Sequence, residues 1–418
     1  MFPLVDVVIM ILKSIPQVIL NPLLWVVVFI VYMQFKRVSK MEEKLFGQAI
    51  NSPREQTIQA SLYGILGGII GSFLLVFVGV SIANIGLGYV WILAIMLMMI
   101  HPRFMCFSYA GGIVSISSLL FGYPKIDVPG LMAIVAILHF VEGVLIYFSG
   151  AKGAAPIFVK DSRYGSVGGF TLQKFWPVPV VILLAITGQE IPKESIQMPD
   201  WWPLIKPPEE LLNNENLLYV MFPVVAGLGY GDMVVSRTPE EKSKKSARYL
   251  FVFSTLLLIL SVLASRMHVF KYAAALFSPL AHDYVIYLGR SAEKKGRPIY
   301  TAPQTGQMVL DVLPGSPAEK MGIKSRDIIL AINGNRIVCK EDLRQFLSSY
   351  PPFIWVDGIH ADGERFSYEY RDYVNGIGSL GTILVPAEGE STVVINEAHS
   401  GILLRYLKKL YEKVFKKT

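Results

Sequence analysis

Few residues in this chain have the types and spacing for chemistry. His139 and Glu142 stand three apart in the apolar run 130–149, so a helix puts both on one face. Ionisable groups inside an apolar helix are costly. Such a pair serves either as a proton- or ion-linked site or as hydrogen-bonded packing residues between helices. His282 and Asp283 form a second, more distant ionisable pair. A zinc protease needs His-Glu-x-x-His on one helix, so that two imidazoles converge on the ion. The nearest run, His139-Phe140-Val141-Glu142, has one histidine and the wrong order. Gly165-Ser166-Val167-Gly168-Gly169 falls in an expected loop, not where an intramembrane serine nucleophile must be buried. No GxxxxGK[ST] phosphate loop occurs. Cys106 and Cys339 lie far apart, which excludes a disulfide scaffold and a CxxC zinc site. The sequence therefore predicts no catalytic residue, no metal ligand set and no cofactor.

The elements that would carry these residues are mostly apolar. Of 418 residues, 53% are apolar and 17% charged, where a soluble domain carries about 25% charged residues. The net charge of +7 is too small to suggest a nucleic-acid partner. No charge occurs from Gln56 to Ile100, room for two spans near 62–82 and 86–100. Further spans are expected at 16–34, 104–121, 130–149, 217–235 and 249–266. The stretch 175–188 is short and holds Pro177 and Pro179, which suits a tilted or re-entrant segment. The stretch 269–288 is apolar but carries Lys271, Pro279, His282 and Asp283. Seven to nine membrane segments are expected, and residues 1–12 read as an interfacial lead-in rather than a cleaved signal.

Loop charges orient these segments. Lys36, Arg37, Lys40, Lys44 and Arg54 read as cytoplasmic, as do Lys152, Lys160, Arg163 and Lys174, and then Arg237, Lys242, Lys244, Lys245 and Arg248. The acidic loop 189–216, with Trp201 and Trp202, suits the outer interface. Arg290, Lys294, Lys295 and Arg297 then place the C-terminal third in the cytoplasm.

After about Gly289 the pattern changes to short alternating runs. Residues 308–312 read as a strand, 318–321 as a short helix ended by Gly322, and 327–332 as a strand into an Asn333-Gly334-Asn335 turn. Residues 341–349 have helical spacing, and 353–356 pairs with 366–370 around Asp362-Gly363. The run from Val309 to Ile337, VLDVLPGSPAEKMGIKSRDIILAINGNRI, resembles the core of a bacterial PDZ domain. The resemblance covers about 90 residues, near 298–386. It implies a small α+β fold, a β-sandwich or partial barrel with two helices, that captures extended peptides by strand addition. Carried onto this chain, the groove strand is Pro298-Ile299-Tyr300 and the groove helix is 341–349. The implied peptide-binding residues are Ile299, Tyr300, Leu343, Phe346 and Leu347. No Gly-Leu-Gly-Phe-like run precedes Ile299, so the ligand is a free C-terminus, an internal peptide or a partner surface.

An α-helical polytopic membrane part followed by one cytoplasmic PDZ domain resembles the MinJ family of division-site membrane proteins of Gram-positive rods. That resemblance implies a non-enzymatic adaptor at septa and poles, linking DivIVA to MinC and MinD. The alternative reading is a transporter or protease-like regulator that uses His139 and Glu142. In residues 399–418, Ile402, Leu403, Tyr406, Leu407, Leu410, Val414 and Phe415 recur at helical spacing among six lysines and arginines. Such a helix either lies on an anionic lipid surface or packs on the PDZ domain. The expected domains are 1–288, 289–390 and 391–418, with homo-oligomerisation left open.

Overall fold

The structure, a computed structural model, describes residues 2–187, 196–207 and 217–387. The N-terminal part begins with helices α1 (Leu4–Leu20), α2 (Pro22–Phe46), α3 (Pro53–Val78) and α4 (Leu87–Ile100). Helices α5 (Phe107–Phe121) and α6 (Val128–Ser149) follow, then strands β1 (Ala155–Asp161), β2 (Gly165–Thr187) and β3 (Leu217–Val234). Helices α7 (Pro239–Ala264) and α8 (His268–Lys295) complete it. Helices α2, α3, α6 and α7 are long and apolar enough to cross a bilayer, and α4 and α5 are shorter apolar helices. Helix α6 is the centre, with Val128 to Ile137 buried without interruption among α3, α5, α7 and α8.

Three expectations change. The run 16–34 is not one span: Asn21 separates α1 from α2, its side chain accepting from Leu23 N at 2.9 Å, with Pro22 opening the second helix. Residues 4–12 of the expected lead-in therefore belong to α1. The expected span 217–235 is a strand over 217–234, and residues 175–187 of the short stretch belong to the strand beside it. The two pair antiparallel from Phe170↔Val234 to Thr187↔Leu217. Prolines at 177, 179 and 223 each remove a helical hydrogen bond, Gly227, Gly229 and Gly231 weaken a helix further, and Val178, Val180, Val181 and Ile182 are β-branched. At about 3.3 Å per residue, the 18 residues of β3 reach farther than the ~30 Å of a hydrocarbon core.

An open strand edge inside an apolar region is tolerated only where protein satisfies it. Strand β1 covers β2 as far as Thr171, and α3 covers it beyond. Residues 177, 179, 181, 183 and 185 turn their backbone groups toward α3 and its C-terminal extension. The two prolines have no N–H to satisfy. Val181 N donates to Ser72 Oγ at 2.8 Å, Ala185 N donates to Ser81 Oγ at 3.0 Å, and Leu183 O accepts from Ile82 N at 2.7 Å. A Cβ on Gly64 would stand 2.1 Å from Pro177 O, and one on Gly68 would stand 2.0 Å from Pro179 O. Four helical residues rise about 6.0 Å and two strand residues about 6.6 Å, so 64, 68 and 72 keep step with 177, 179 and 181.

The C-terminal part holds β4 (Gln307–Val312), α9 (Pro317–Met321), β5 (Ile328–Ile332), β6 (Asn335–Arg336) and α10 (Lys340–Leu347). Strands β7 (Phe353–Ile359), β8 (Arg365–Arg371) and β9 (Thr382–Leu384) follow. The sheet order is β8-β7-β5-β4-β9, with β6 paired to β5. Helix α8 runs on to Lys295, so the expected boundary at 288 falls inside it. The expected basic tail helix, 391–418, lies outside the described residues.

Candidate functional site

The turn residues of the C-terminal sheet explain its shape. Ser316 Oγ caps α9 by accepting from Glu319 N, and Gly322 ends that helix at φ +85°. Asn333 and Gly334 both take positive φ, as the tight turn between β5 and β6 requires. Asp342 Oδ2 accepts from Val338 N and Cys339 N and opens α10. Buried Asp327 holds Lys324 N with one oxygen and His360 Nδ1 with the other, and His360 Nε2 meets the Tyr368 hydroxyl at 3.1 Å. These bonds tie the α9–β5 loop to β7 and β8.

The five nominated peptide-binding residues separate into two groups. Leu343 and Leu347 are buried in the core that also holds Ile377, Leu380 and Leu384, and Phe346 packs against it partly buried. Ile299 and Tyr300 are elsewhere. Ile299 N donates to Val235 O at 2.9 Å, and Tyr300 O accepts from Gly168 N at 2.9 Å. Tyr300 is 1% exposed and packs edge-on to Phe170. The segment expected to line the groove thus extends the base of the β2–β3 hairpin instead. The edge of the PDZ-like sheet beside β4 is β9, which is preceded by Ser379-Leu380-Gly381. That Leu-Gly step before an edge strand was the available sequence signal, displaced to the far end of the domain.

Tyr300, Leu310, Ile383 and Val385 form one buried cluster with Phe170 and Val234, joined by Phe46 and Phe158. This cluster docks the C-terminal sheet on the hairpin. Gly168 lies at the closest approach, where a Cβ would come within 2.9 Å of Leu310 and 3.0 Å of Tyr300. The GSVGG run, expected as a loop, therefore opens β2 and forms the docking surface.

Two lysines counted as loop charges are buried here. Lys242 Nζ, with its side chain 3% exposed, sits 3.2 Å from Asp232 and 3.7 Å from Glu293, and donates to Gly289 O. Glu293 Oε2 also accepts from Val235 N, Ser236 N and Ser236 Oγ. One ionic knot thereby joins the end of β3, the start of α7 and the end of α8. Lys174 Nζ donates to Gln56 Oε1 across β2 and α3. At the docking face, burial first, and then the nearby charge of Glu42, hold the Asp311 carboxyl up at about 6.

His139 is buried, and its ring meets Cys106 of the α5 N-terminus and His282 of α8. Glu142 follows one turn later on α6. Asp283 turns aside to Tyr109 and Arg103.

The PDZ domain family matches residues 308–351. The chain is 24% identical over 396 residues to the cell division topological determinant MinJ of Bacillus subtilis (strain 168), covering 88% of this chain and 94% of that protein. It is 21% identical over 267 residues to the probable cell division topological determinant MinJ of Lacticaseibacillus paracasei, covering 62% of this chain and 66% of that protein. The chain is therefore MinJ-like over most of its length, a part rich in apolar helices followed by a PDZ domain.

Proposed function

We propose that this protein is a multi-pass membrane adaptor at the division site, without enzymatic activity, that presents its PDZ domain to protein partners at the cytoplasmic face. The observation that carries the reading is the docking of the PDZ sheet, through Tyr300, Leu310 and Ile383, onto a hairpin that continues along the apolar helix α3. A domain held in this way cannot drift from the bilayer, so its exposed edges meet partners already at the membrane. The basic residues from Lys36 to Arg54 and from Arg237 to Arg248 support a cytoplasmic position for that face.

The similarity to division determinants named MinJ supports a topological role, and the finer assignment is a bridge between DivIVA and MinC/MinD. A partner peptide adds to β9 as the sheet's edge strand, beside α10 with Leu343, Phe346 and Leu347. The basic residues of 399–418 add affinity for anionic lipid.

The test compares fluorescent fusions of the full chain and of a chain ending after Gly296, which keeps the Lys242–Glu293 contact. Septal and polar enrichment of the full chain, lost on truncation, supports the adaptor. Even membrane fluorescence of the full chain in dividing cells overturns it.

A further inference from the structure

Three side chains far apart in sequence converge inside the helical part. Cys106 caps the N-terminus of α5, His139 lies midway along α6, and His282 lies three residues after Pro279 in α8. Cys106 Sγ is 3.1 Å from His139 Nε2 and 3.7 Å from His282 Nε2, and the three ligand atoms all lie within 4.8 Å of one another. A tetrahedral zinc with Zn–S about 2.3 Å and Zn–N about 2.0–2.1 Å sets its sulfur and nitrogen ligands about 3.6 Å apart. The two observed separations bracket that value.

The surroundings are arranged as for a metal. His139 Nδ1 meets Val135 O at 2.7 Å. That contact fixes the proton on Nδ1 and leaves the Nε2 lone pair facing Cys106. Phe253 packs edge-on against both imidazoles, and Tyr109 packs against His282. Ser108 Oγ donates to Ser278 O at 2.6 Å and Ser278 Oγ to Ser108 O at 3.0 Å, which pins α5 to α8 beside the cluster. The His282 Nδ1 atom is buried and has no hydrogen-bond partner.

We infer that Cys106, His139 and His282 form a zinc site that staples α5, α6 and α8, with water in the fourth position. Two imidazole nitrogens and one thiolate sulfur suit a zinc ion over magnesium or calcium. Binding displaces the Cys106 thiol proton to solvent and involves no redox step. The three residues are spread across the chain, so no spacing motif announces the site.

The test uses the full chain, purified in mild detergent through a tag without histidines. Elemental analysis should find about one zinc per chain. Cys106→Ser and His282→Gln should each fall to background, while Cys339→Ser and His268→Gln keep the metal. Exchange with cobalt(II) should give tetrahedral visible bands and a thiolate-to-cobalt charge-transfer band. If Cys106→Ser fails to fold, Cys106→His retains a ligand and should keep the visible bands without the charge-transfer band. Background zinc in the unaltered chain together with no cobalt spectrum overturns the proposal. So does a charge-transfer band that survives replacement of Cys106.

Discussion

Val181 donates its backbone N–H to the hydroxyl of Ser72 at 2.8 Å, inside the apolar packing of α3 against β2. Together with Pro177 and Pro179, which have no N–H, this bond leaves no unpaired donor at residues 177, 179 and 181, where the strand edge lies against a membrane-type helix. Ser72→Ala should therefore cost about 1–3 kcal/mol, the penalty for one buried unsatisfied N–H. Thermal unfolding of the detergent-solubilised chain measures it. An unchanged Tm would mean that the edge is wet.

The glycines facing the same edge make a sharper case. Gly64→Ala and Gly68→Ala each place a methyl about 2 Å from a proline carbonyl oxygen, and backbone on both sides must shift. Each should lower stability by several kcal/mol, at the upper end of point substitutions. Gly88, in α4 with nothing within 4 Å of its Cβ position, is the control. Gly88→Ala should be neutral or stabilising by about 0.5–1 kcal/mol.

The ionic knot at Lys242 predicts a non-additive series. Lys242→Met leaves the Asp232 and Glu293 carboxylates facing each other across a site with little water, at a cost of about 2–4 kcal/mol. Adding Asp232→Asn and Glu293→Gln should recover most of that loss. The melting temperatures of the unaltered chain, Lys242→Met, Asp232→Asn/Glu293→Gln and the combined variant decide it, and simple additivity would contradict the buried-charge account.

Docking of the PDZ domain depends on close approach at Gly168. Gly168→Val should free the domain from the hairpin while leaving its own fold intact. Limited trypsin digestion should then cut faster after Lys294 or Lys295, the basic residues next to the docked segment that are not followed by proline, and the released PDZ fragment should persist. Equal cutting rates in the two proteins would show that the contact does not hold the domain.

Asp311 gives the docking face a pH dependence. Its carboxyl is held up at about 6, above the unfolded value of about 3.9, so the folded state binds the proton more tightly. The protonated folded form is favoured below about pH 4, that advantage is lost between about pH 4 and 6, and the cost is constant above. Asp311→Asn should remove this slope and raise stability by about 1–2 kcal/mol at neutral pH. The comparison is the difference in Tm between the two proteins across that range, and a difference independent of pH would refute it.

Much of the architecture was legible from local chemistry. Spans within α3, α6 and α7, and the apolar α4 and α5, follow from uncharged runs, because burial in an apolar medium acts on each residue where it stands. The PDZ elements follow from Ser316, Gly322, Asn333-Gly334 and Asp342, whose backbone demands are local. Pro177 and Pro179 marked 175–188 as a poor helix without saying what it formed instead, and 217–235, with Pro223 inside it, read as a span. An apolar run suits a helix and a buried strand equally. What favoured the strand was a partner about 50 residues away and a glycine face on α3 in step with it. Similarly, Ile299 and Tyr300 look like any edge strand until the hairpin offers Val235 and Gly168 as backbone partners. Cys106, His139 and His282 meet only because α5, α6 and α8 pack together. Such pairings exchange chain entropy for contacts between distant segments, so only the tertiary structure decides them.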